Sequence, residues 1–184
     1  MTKRKNNRIR LHIESLSIQP KVFQIDAALY ERVARRHAKI AAKVDTSISF
    51  DCERFDEGIA DAQVFVGWRF PKERLREKAK ALRMVHATGA GIEHLLPLDW
   101  LPDGAVLTNN RGVHGPKAGE FALMALLMLH NQMPDIIAAQ RKHAWDRYFS
   151  TTLAGQTLLI VGVGQMGGAA ARMAKRNGLN VLGI

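Results

Sequence analysis

Three glycines near the end of the sequence have the spacing of a phosphate-binding turn. Gly162, Gly164 and Gly167 form a Gly-x-Gly-x-x-Gly pattern directly after the apolar run Leu158–Val161. In such a turn the first glycine permits the sharp bend, the second lets a pyrophosphate approach the backbone, and the third lets helix and strand pack closely. The helix predicted to begin near Gln165 would point unpaired N–H groups and a partial positive charge at that phosphate. We predict dinucleotide binding here, with a merely structural turn as the alternative.

The elements that must position this turn are also present in the sequence. The apolar run before it predicts a strand that is buried on both faces of a parallel sheet. The predicted helix places its apolar residues on one face at 3.6-residue spacing, namely Met166, Ala170, Met173 and Ala174. Gly178 is expected to end this helix in the left-handed conformation, and Leu179–Ile184 is expected to form the next strand.

The place where the sequence stops affects what can be predicted. An acidic side chain normally holds the adenosine ribose about 20 residues past the glycines, at the end of the second strand. The sequence ends at Ile184, just short of that place. One strand–helix–strand unit would leave the edge and faces of its sheet uncovered. We therefore expect the 184 residues to be the N-terminal part of a longer protein.

Composition points to a globular protein of the cytoplasm. The chain is 47% hydrophobic and 24% charged, and Cys52 is its only cysteine, so no internal disulfide is possible. We expect Cys52 to pack as a small apolar residue rather than act as a nucleophile. No secretory signal and no apolar run of about 18 residues is present, so we predict no membrane span.

The positive charge raises the question of nucleic-acid binding. The net charge is +10, and part of it lies in a cluster at the N-terminus that consists of Lys3, Arg4, Lys5, Arg8 and Arg10. A solvated, frayed terminus is the interpretation we favour. No aromatic residues are interleaved for base stacking and no groove-reading motif appears, so nucleic acid is an unlikely partner.

Strands and helices alternate along the first part of the chain. Strands are predicted at residues 9–18, around 48–50, and at 62–66, 83–87 and 106–108. Helices are predicted at 26–42, 72–80 and 92–96. Asp26 is the expected N-cap of the first helix, with Leu29, Val33 and Ile40 facing inward. This alternation predicts an α/β domain with a parallel sheet. From Pro116 the character changes, because residues 118–129 are almost continuously apolar and predict a helix that is buried nearly all round, as at an interface.

Two loops of this first domain qualify as a ligand site, because ligands bind beyond the carboxyl ends of parallel strands. Thr88-Gly89-Ala90-Gly91 follows one predicted strand, and its N–H groups can converge on a carboxylate or phosphate. The loop that contains Trp68 follows another strand. The alternatives are that the Thr88–Gly91 loop is a glycine turn that binds no ligand, and that Trp68 only packs against its neighbours. Seven histidines occur, but none has a carboxylate partner identifiable from spacing, and no histidine or cysteine cluster suggests a metal.

These motifs, in this order, resemble the D-isomer-specific 2-hydroxyacid dehydrogenases, a family of NAD(P)-dependent enzymes that includes glycerate, phosphoglycerate and glyoxylate/hydroxypyruvate enzymes. The resemblance covers about residues 62–184 and is loose before that. The matching segments are residues 82–95 (LRMVHATGAGIEHL), 106–112 (VLTNNRG), 118–124 (AGEFALM) and 153–167 (LAGQTLLIVGVGQMG).

The resemblance implies a flavodoxin-like substrate-binding (catalytic) domain in residues 1–112, followed in residues 113–184 by the beginning of a Rossmann NAD(P)-binding domain. It implies that N–H groups of Gly89, Ala90 and Gly91 hold the carboxylate of a small 2-keto or 2-hydroxy acid, with Trp68 bordering the same cleft. The pyrophosphate of NAD or NADP is expected on the loop formed by Gly162, Gly164, Gln165, Met166 and Gly167. The helix at 116–130 is expected to mediate a homodimer.

The resemblance has two departures and leaves one alternative function open. The family often has Val-Ala-Glu where this chain has Ala118-Gly119-Glu120, preceded by an unusual Lys117, which leaves cofactor contacts there uncertain. The family's catalytic arginine, glutamate and histidine follow the second nucleotide-binding strand, so no residue of this chain is assigned to catalysis. The implied reaction is hydride transfer in the full-length protein. A non-catalytic NAD(H)-sensing module of the corepressor type, or an inactive truncated fragment, is the alternative.

Overall fold

The computed structural model describes residues 8–184, which form two compact units. The first unit extends to Asn110 and the second begins at Arg111. Each has its own parallel sheet, with five strands in the first and two in the second. Lys3, Arg4 and Lys5 of the predicted basic cluster lie outside the described residues.

The first unit is built on a parallel sheet. Its strands are β1 (Ile9–Ser15), β2 (Val44–Phe50), β3 (Val64–Gly67), β4 (Met84–Ala87) and β5 (Val106–Asn109). Their order is β2-β1-β3-β4-β5, and Ile13 of β1 pairs with Ile48 on one side and Val66 on the other. This is the strand order of flavodoxin-like folds, in which the order reverses beside β1. The predicted α/β class is confirmed.

Short helices connect these strands and cover a core rich in aromatic residues. The helices are α1 (Ala27–Arg36), α2 (Ala38–Ala41), α3 (Phe55–Ala60) and α4 (Lys72–Lys78), with 3-10 turns at Lys21–Phe23 and Glu93–Leu95. Phe65 of β3 makes edge-to-face contacts with Phe55 and Phe70, and Phe70 makes one with Trp100. This cluster joins α3, the sheet and the segment before β5. The loops at the strand ends therefore start from a closely packed core.

The first predicted helix differs from the structure in its second half. Asp26 caps α1 as predicted, because its Oδ1 accepts a hydrogen bond from the Leu29 N–H at 2.8 Å. The helix breaks at His37, whose φ of −125° is not helical, and α2 continues separately. The prediction that Val33 and Ile40 face inward is wrong, since they are 45% and 65% exposed. The break removes the single continuous apolar face on which that prediction rested. β1 likewise ends at Ser15 rather than residue 18.

The second unit contains three helices and two strands. These are α5 (Gly115–His130), α6 (Met133–Arg141), β6 (Thr157–Ile160), α7 (Gln165–Arg176) and β7 (Asn180–Gly183). β6 pairs in parallel with β7, and Gly178 ends α7 with φ +80°, as predicted. The prediction that the glycine-turn strand is buried on both faces is wrong, because Leu159 of β6 is 58% exposed. α7 packs against both strands of this small sheet.

α5 and α7 pack closely through small residues. A Cβ at Gly119 of α5 would lie 3.1 Å from the Ala169 carbonyl oxygen of α7, so glycine at this position lets the helices approach. Gly115 and Gly119 are the buried residues of α5, and the prediction that this helix is buried nearly all round is wrong. The buried residues of α7 are Ala169 and Ala174, whereas Met166 is 61% exposed, contrary to the predicted apolar face.

No single helix among residues 8–184 combines the length and apolar content of a membrane span. α5 and α6 reach that length and composition only together, and they are bent by 63° at the break between them.

Candidate functional site

The loop after β4 presents its amide groups because its carbonyl groups are already bonded. Asn110 donates through its side chain to the Thr88 carbonyl at 2.8 Å and through its N–H to the Gly89 carbonyl at 3.0 Å. The Asn109 side chain donates to the Ala90 carbonyl at 2.9 Å. Three successive carbonyl oxygens are therefore held by the end of β5. The Thr88 N–H donates to the Gly67 carbonyl at 3.0 Å, so the N–H groups of this turn that suit an anion are those of Gly89, Ala90 and Gly91, as in a backbone nest.

Trp68 lies against this loop. It follows Gly67, the last residue of β3, and its indole ring covers Gly89 so closely that a Cβ at Gly89 would overlap the ring. His94 contacts Trp68 twice: its Nε2 donates to the Trp68 carbonyl at 2.8 Å, and the two rings are 4.1 Å apart between centroids. The structure thus brings Trp68 together with the Gly89–Gly91 turn at the carboxyl ends of two neighbouring strands. Their role in substrate binding stays a prediction.

The glycine turn of the second unit shows a separate use of each glycine. Gly162 has φ +87°, a left-handed conformation that favours glycine. A Cβ at Gly167 would overlap the Gly162 carbonyl oxygen, so this position closes the turn against the helix. At Gly164, by contrast, a Cβ would meet nothing within 4 Å. The turn therefore packs tightly at Gly167 and leaves open space beside Gly164, on the side a pyrophosphate would need.

α7 starts at this turn with its N–H groups exposed. Gly164 is the N-cap, and Gln165 and Met166 occupy the first turn. The first helical hydrogen bond recorded at the turn is that from the Gly168 N–H to the Gly164 carbonyl, at 2.7 Å. The N–H groups before Gly168 point out of the helix end, where the dipole is positive. Lys175 and Arg176 lie in the last turn, where positive charge suits the dipole. The arrangement is suited to bind a phosphate, while the roles of the individual residues stay predictions.

A buried polar group in the first unit was missed by the sequence analysis. His12 and Glu14 of β1 are both buried, with His12 Nε2 3.4 Å from Glu14 Oε2. The His12 Nδ1 lies 2.8 Å from Ser47 Oγ, and Ser49 donates to Glu14 Oε2 at 2.5 Å. The Cys52 N–H donates to Glu14 Oε1 at 2.8 Å. The statement that no histidine has a carboxylate partner identifiable from spacing is wrong for His12. Residues two apart on a strand lie on the same face of the sheet, so the spacing of His12 and Glu14 did indicate that they are neighbours.

This environment shifts two pKa values in opposite directions. Burial raises the pKa of the Glu14 carboxyl, but its interactions with His12, Ser49 and the Cys52 N–H outweigh burial and hold the pKa below its usual value. Burial, with the nearby Glu14 charge, raises the pKa of the Cys52 thiol. A thiol kept protonated is a poor nucleophile, which fits the packing role expected for Cys52. Among residues 8–184, no group of three or more His, Cys, Asp or Glu side chains forms a metal site.

Comparison with known sequences gives a match over the second unit and beyond it. The profile of the D-isomer specific 2-hydroxyacid dehydrogenase NAD binding domain matches residues 123–184. The D-3-phosphoglycerate dehydrogenase of Methanocaldococcus jannaschii is 25% identical over 146 residues, which are 77% of this chain and 28% of that enzyme. The chain thus spans less than a third of this curated relative.

Solved structures resemble both units. A D-isomer specific 2-hydroxyacid dehydrogenase family protein from Aeromonas salmonicida is 28% identical with a TM-score of 0.70, over 95% of this chain and 53% of that one. A D-isomer specific 2-hydroxyacid dehydrogenase from Xanthobacter autotrophicus, solved with NADPH and MES, is 22% identical with a TM-score of 0.71, over 94% of this chain and 53% of that one. The chain spans about half the length of these proteins.

Proposed function

Because the chain belongs to the D-isomer-specific 2-hydroxyacid dehydrogenase family, we propose that the whole protein transfers a hydride between a nicotinamide cofactor and a small 2-keto or 2-hydroxy acid. The observation that supports the proposal is that each unit has a turn suited to bind an anion, one beyond β4 and one before α7. The cofactor supplies the hydride when bound. The residues of this chain bind the acid and the cofactor and orient them.

The acid is bound by the first unit. In the proposed complex its carboxylate accepts hydrogen bonds from the N–H groups of Gly89, Ala90 and Gly91. The carbonyl groups of Thr88, Gly89 and Ala90 are held by Asn109 and Asn110, which supports this assignment for the turn. Trp68 then borders the carbon chain of the acid. Hydrogen bonds between N–H groups and an ionised carboxylate are stronger than neutral ones, and the strand ends hold them in place before the acid arrives.

The cofactor is bound by the second unit. Its pyrophosphate lies beside Gly164, where the structure leaves space, and accepts hydrogen bonds from the N–H groups of Gln165 and Met166. Gly162 and Gly167 shape the turn. The residue at the carboxyl end of β7 determines the preference for NAD or NADP. An Asp or Glu there holds the ribose hydroxyl of NAD, whereas an Arg or Ser suits the phosphate of NADP.

We further propose that α5 mediates a homodimer, as predicted for residues 116–130. Large apolar side chains of α5 are exposed, including Phe121 at 63% and Leu129 at 67%. An exposed apolar helix face of this kind is typical of an interaction surface.

The test is turnover of the whole protein. Oxidation of NADH or NADPH by a panel of 2-keto acids, followed by nicotinamide absorbance, is the expected result. NADH binding without turnover of any acid would favour the non-catalytic NAD(H)-sensing alternative.

A further inference from the structure

We propose that His94 is a positioning residue that fixes Trp68 over Gly89, so that the indole becomes a rigid wall limiting the size of the acid's carbon chain. This inference rests on the proposed function and assigns the residue that sets substrate size at the same site. His94 has no place in the glycine turn itself and touches none of the proposed reacting atoms.

His94 holds Trp68 at both its backbone and its ring. The Nε2–H of His94 donates to the Trp68 carbonyl at 2.8 Å, which fixes the path of the chain where it leaves β3. The imidazole lies against the indole, with 4.1 Å between centroids and 51° between planes. A tryptophan side chain turns about only two bonds. One contact on its backbone and one on its ring therefore leave little freedom to the indole.

The base on which His94 stands is itself fixed. His94 lies in the 3-10 turn Glu93–Leu95, and Leu95 is buried in the core of the first unit. Trp100 donates from Nε1 to the Leu95 carbonyl at 2.6 Å, which ties the turn to the aromatic cluster. The position of Trp68 is thus set by a chain of contacts from the core through Leu95 and His94.

The position of the indole decides the room beside the acid. The ring covers Gly89, and Gly89 opens the turn whose N–H groups are proposed to hold the carboxylate. An acid held by this turn must place the rest of its carbon chain next to the ring. If the indole stays over Gly89, a small acid fits and a bulky one meets the ring. If the indole swings away, the difference between small and bulky acids becomes smaller.

Three variants of His94 separate its two contacts. His94→Ala loses both, His94→Gln keeps an N–H donor for the carbonyl, and His94→Phe keeps a ring against the indole. In the whole protein we expect His94→Ala to reduce the preference for glyoxylate over phenylpyruvate, measured as the ratio of kcat/KM values, by about three- to tenfold, the range that the loss of one hydrogen bond produces. The change should appear in KM for the acid, with kcat for glyoxylate and KM for the cofactor within about threefold. His94→Gln and His94→Phe should each restore part of the preference.

A spectroscopic measurement on the 184-residue chain tests the position of Trp68 without turnover. The emission of Trp68 is obtained as the difference between each protein and its Trp68→Phe counterpart, which removes the contributions of Trp100 and Trp145. His94→Ala should shift this emission to longer wavelength and increase its quenching by iodide, because the indole becomes more exposed. Unchanged Trp68 emission in His94→Ala would overturn the proposal.

The kinetic measurement can also contradict the proposal. Equal losses of kcat/KM for glyoxylate and phenylpyruvate, together with a lower melting temperature, would make His94 merely structural and overturn its role in selecting the substrate. If the wild-type protein turns over no 2-keto acid, the proposed function fails and the selection of substrate fails with it. The emission result still reports separately whether His94 fixes Trp68.

Discussion

Replacing three glycines of the second unit one at a time distinguishes cofactor binding from folding. The variants are Gly164→Ala, Gly167→Ala and Gly168→Ala, which add the same methyl group at positions with different surroundings. At Gly164 the methyl meets nothing within 4 Å, at Gly167 it overlaps the Gly162 carbonyl oxygen, and at Gly168 it lies 3.5 Å from an Arg172 nitrogen. The three substitutions are therefore expected to act on different properties.

Gly164→Ala should weaken cofactor binding with little effect on stability. The methyl occupies the space in which the pyrophosphate would approach the N–H groups of α7. Losing hydrogen bonds to a charged phosphate costs about 1.5–3 kcal/mol, which corresponds to a Kd for NADH or NADPH raised about 13- to 160-fold. Alanine is a poorer N-cap than glycine, at a cost of at most about 1 kcal/mol. The melting temperature should therefore fall by no more than about 4 °C.

Gly167→Ala should act mainly on stability. Relieving the overlap with a backbone carbonyl requires movement of the turn or of α7, and overpacking of this kind costs about 1–3 kcal/mol. For a chain of this size, that corresponds to a melting temperature lowered by about 2–12 °C. Gly168→Ala is the matched control. It lies inside α7 with only ordinary contacts, and alanine in a helix interior is favoured over glycine by about 0.5–1 kcal/mol.

The assay is a fluorescence titration of the whole protein with NADH and NADPH, combined with thermal unfolding without cofactor. Gly168→Ala should bind like wild type and melt at the same or a higher temperature. The reasoning is refuted if Gly164→Ala binds the cofactor as tightly as wild type. It is equally refuted if Gly168→Ala, correctly folded, loses as much affinity as Gly164→Ala, because the turn would then have no specific role.

Two further predictions concern Glu14 and α5. Since the folded-state pKa of Glu14 is lowered, its charge stabilises the fold above the ordinary carboxyl pKa of about 4.3, and this contribution is lost as pH falls through the lowered pKa. Glu14→Gln should therefore reduce the free energy of unfolding by about 1.5–3 kcal/mol at neutral pH, with the difference from wild type shrinking in acid, and a difference independent of pH would contradict this. Phe121→Glu combined with Met124→Lys should convert the proposed dimer of the whole protein to a monomer by light scattering, whereas Phe149→Glu, at an exposed aromatic outside the helix, should not; a dimer that persists would exclude this face.

The sequence predicted the features that depend on local chemistry. The glycine turn before α7, the Asp26 cap and the left-handed Gly178 were all found where the residue types placed them. Each depends on a conformation or a hydrogen bond within a few residues, so a local pattern is sufficient. The alternation of strands and helices gave the parallel sheet for the same reason, although its strands begin or end up to four residues from the predicted bounds.

The errors concern burial, which depends on distant parts of the chain. Periodicity predicted that Val33 and Ile40 are buried, and a continuous apolar run predicted the same for Leu159, yet each is exposed in the described residues. Periodicity shows that a residue is apolar on one face, but it does not show what covers that face. The contact of His94 with Trp68 was also missed, because it joins two loops 26 residues apart and follows from no spacing rule.

The two candidate binding turns use backbone amides rather than charged side chains, and this explains how they appear in the sequence. In the turn after β4, Asn109 and Asn110 hold the carbonyl groups, and in the turn before α7 the helix itself orders the N–H groups. A backbone donor requires close approach of the ligand, which a Cβ on the ligand's side of the turn hinders, so both turns contain glycine. The net positive charge of the chain is therefore no guide to these sites. What the side chains add is position, from the asparagines that turn the amide groups outward to the His94 that holds the neighbouring indole.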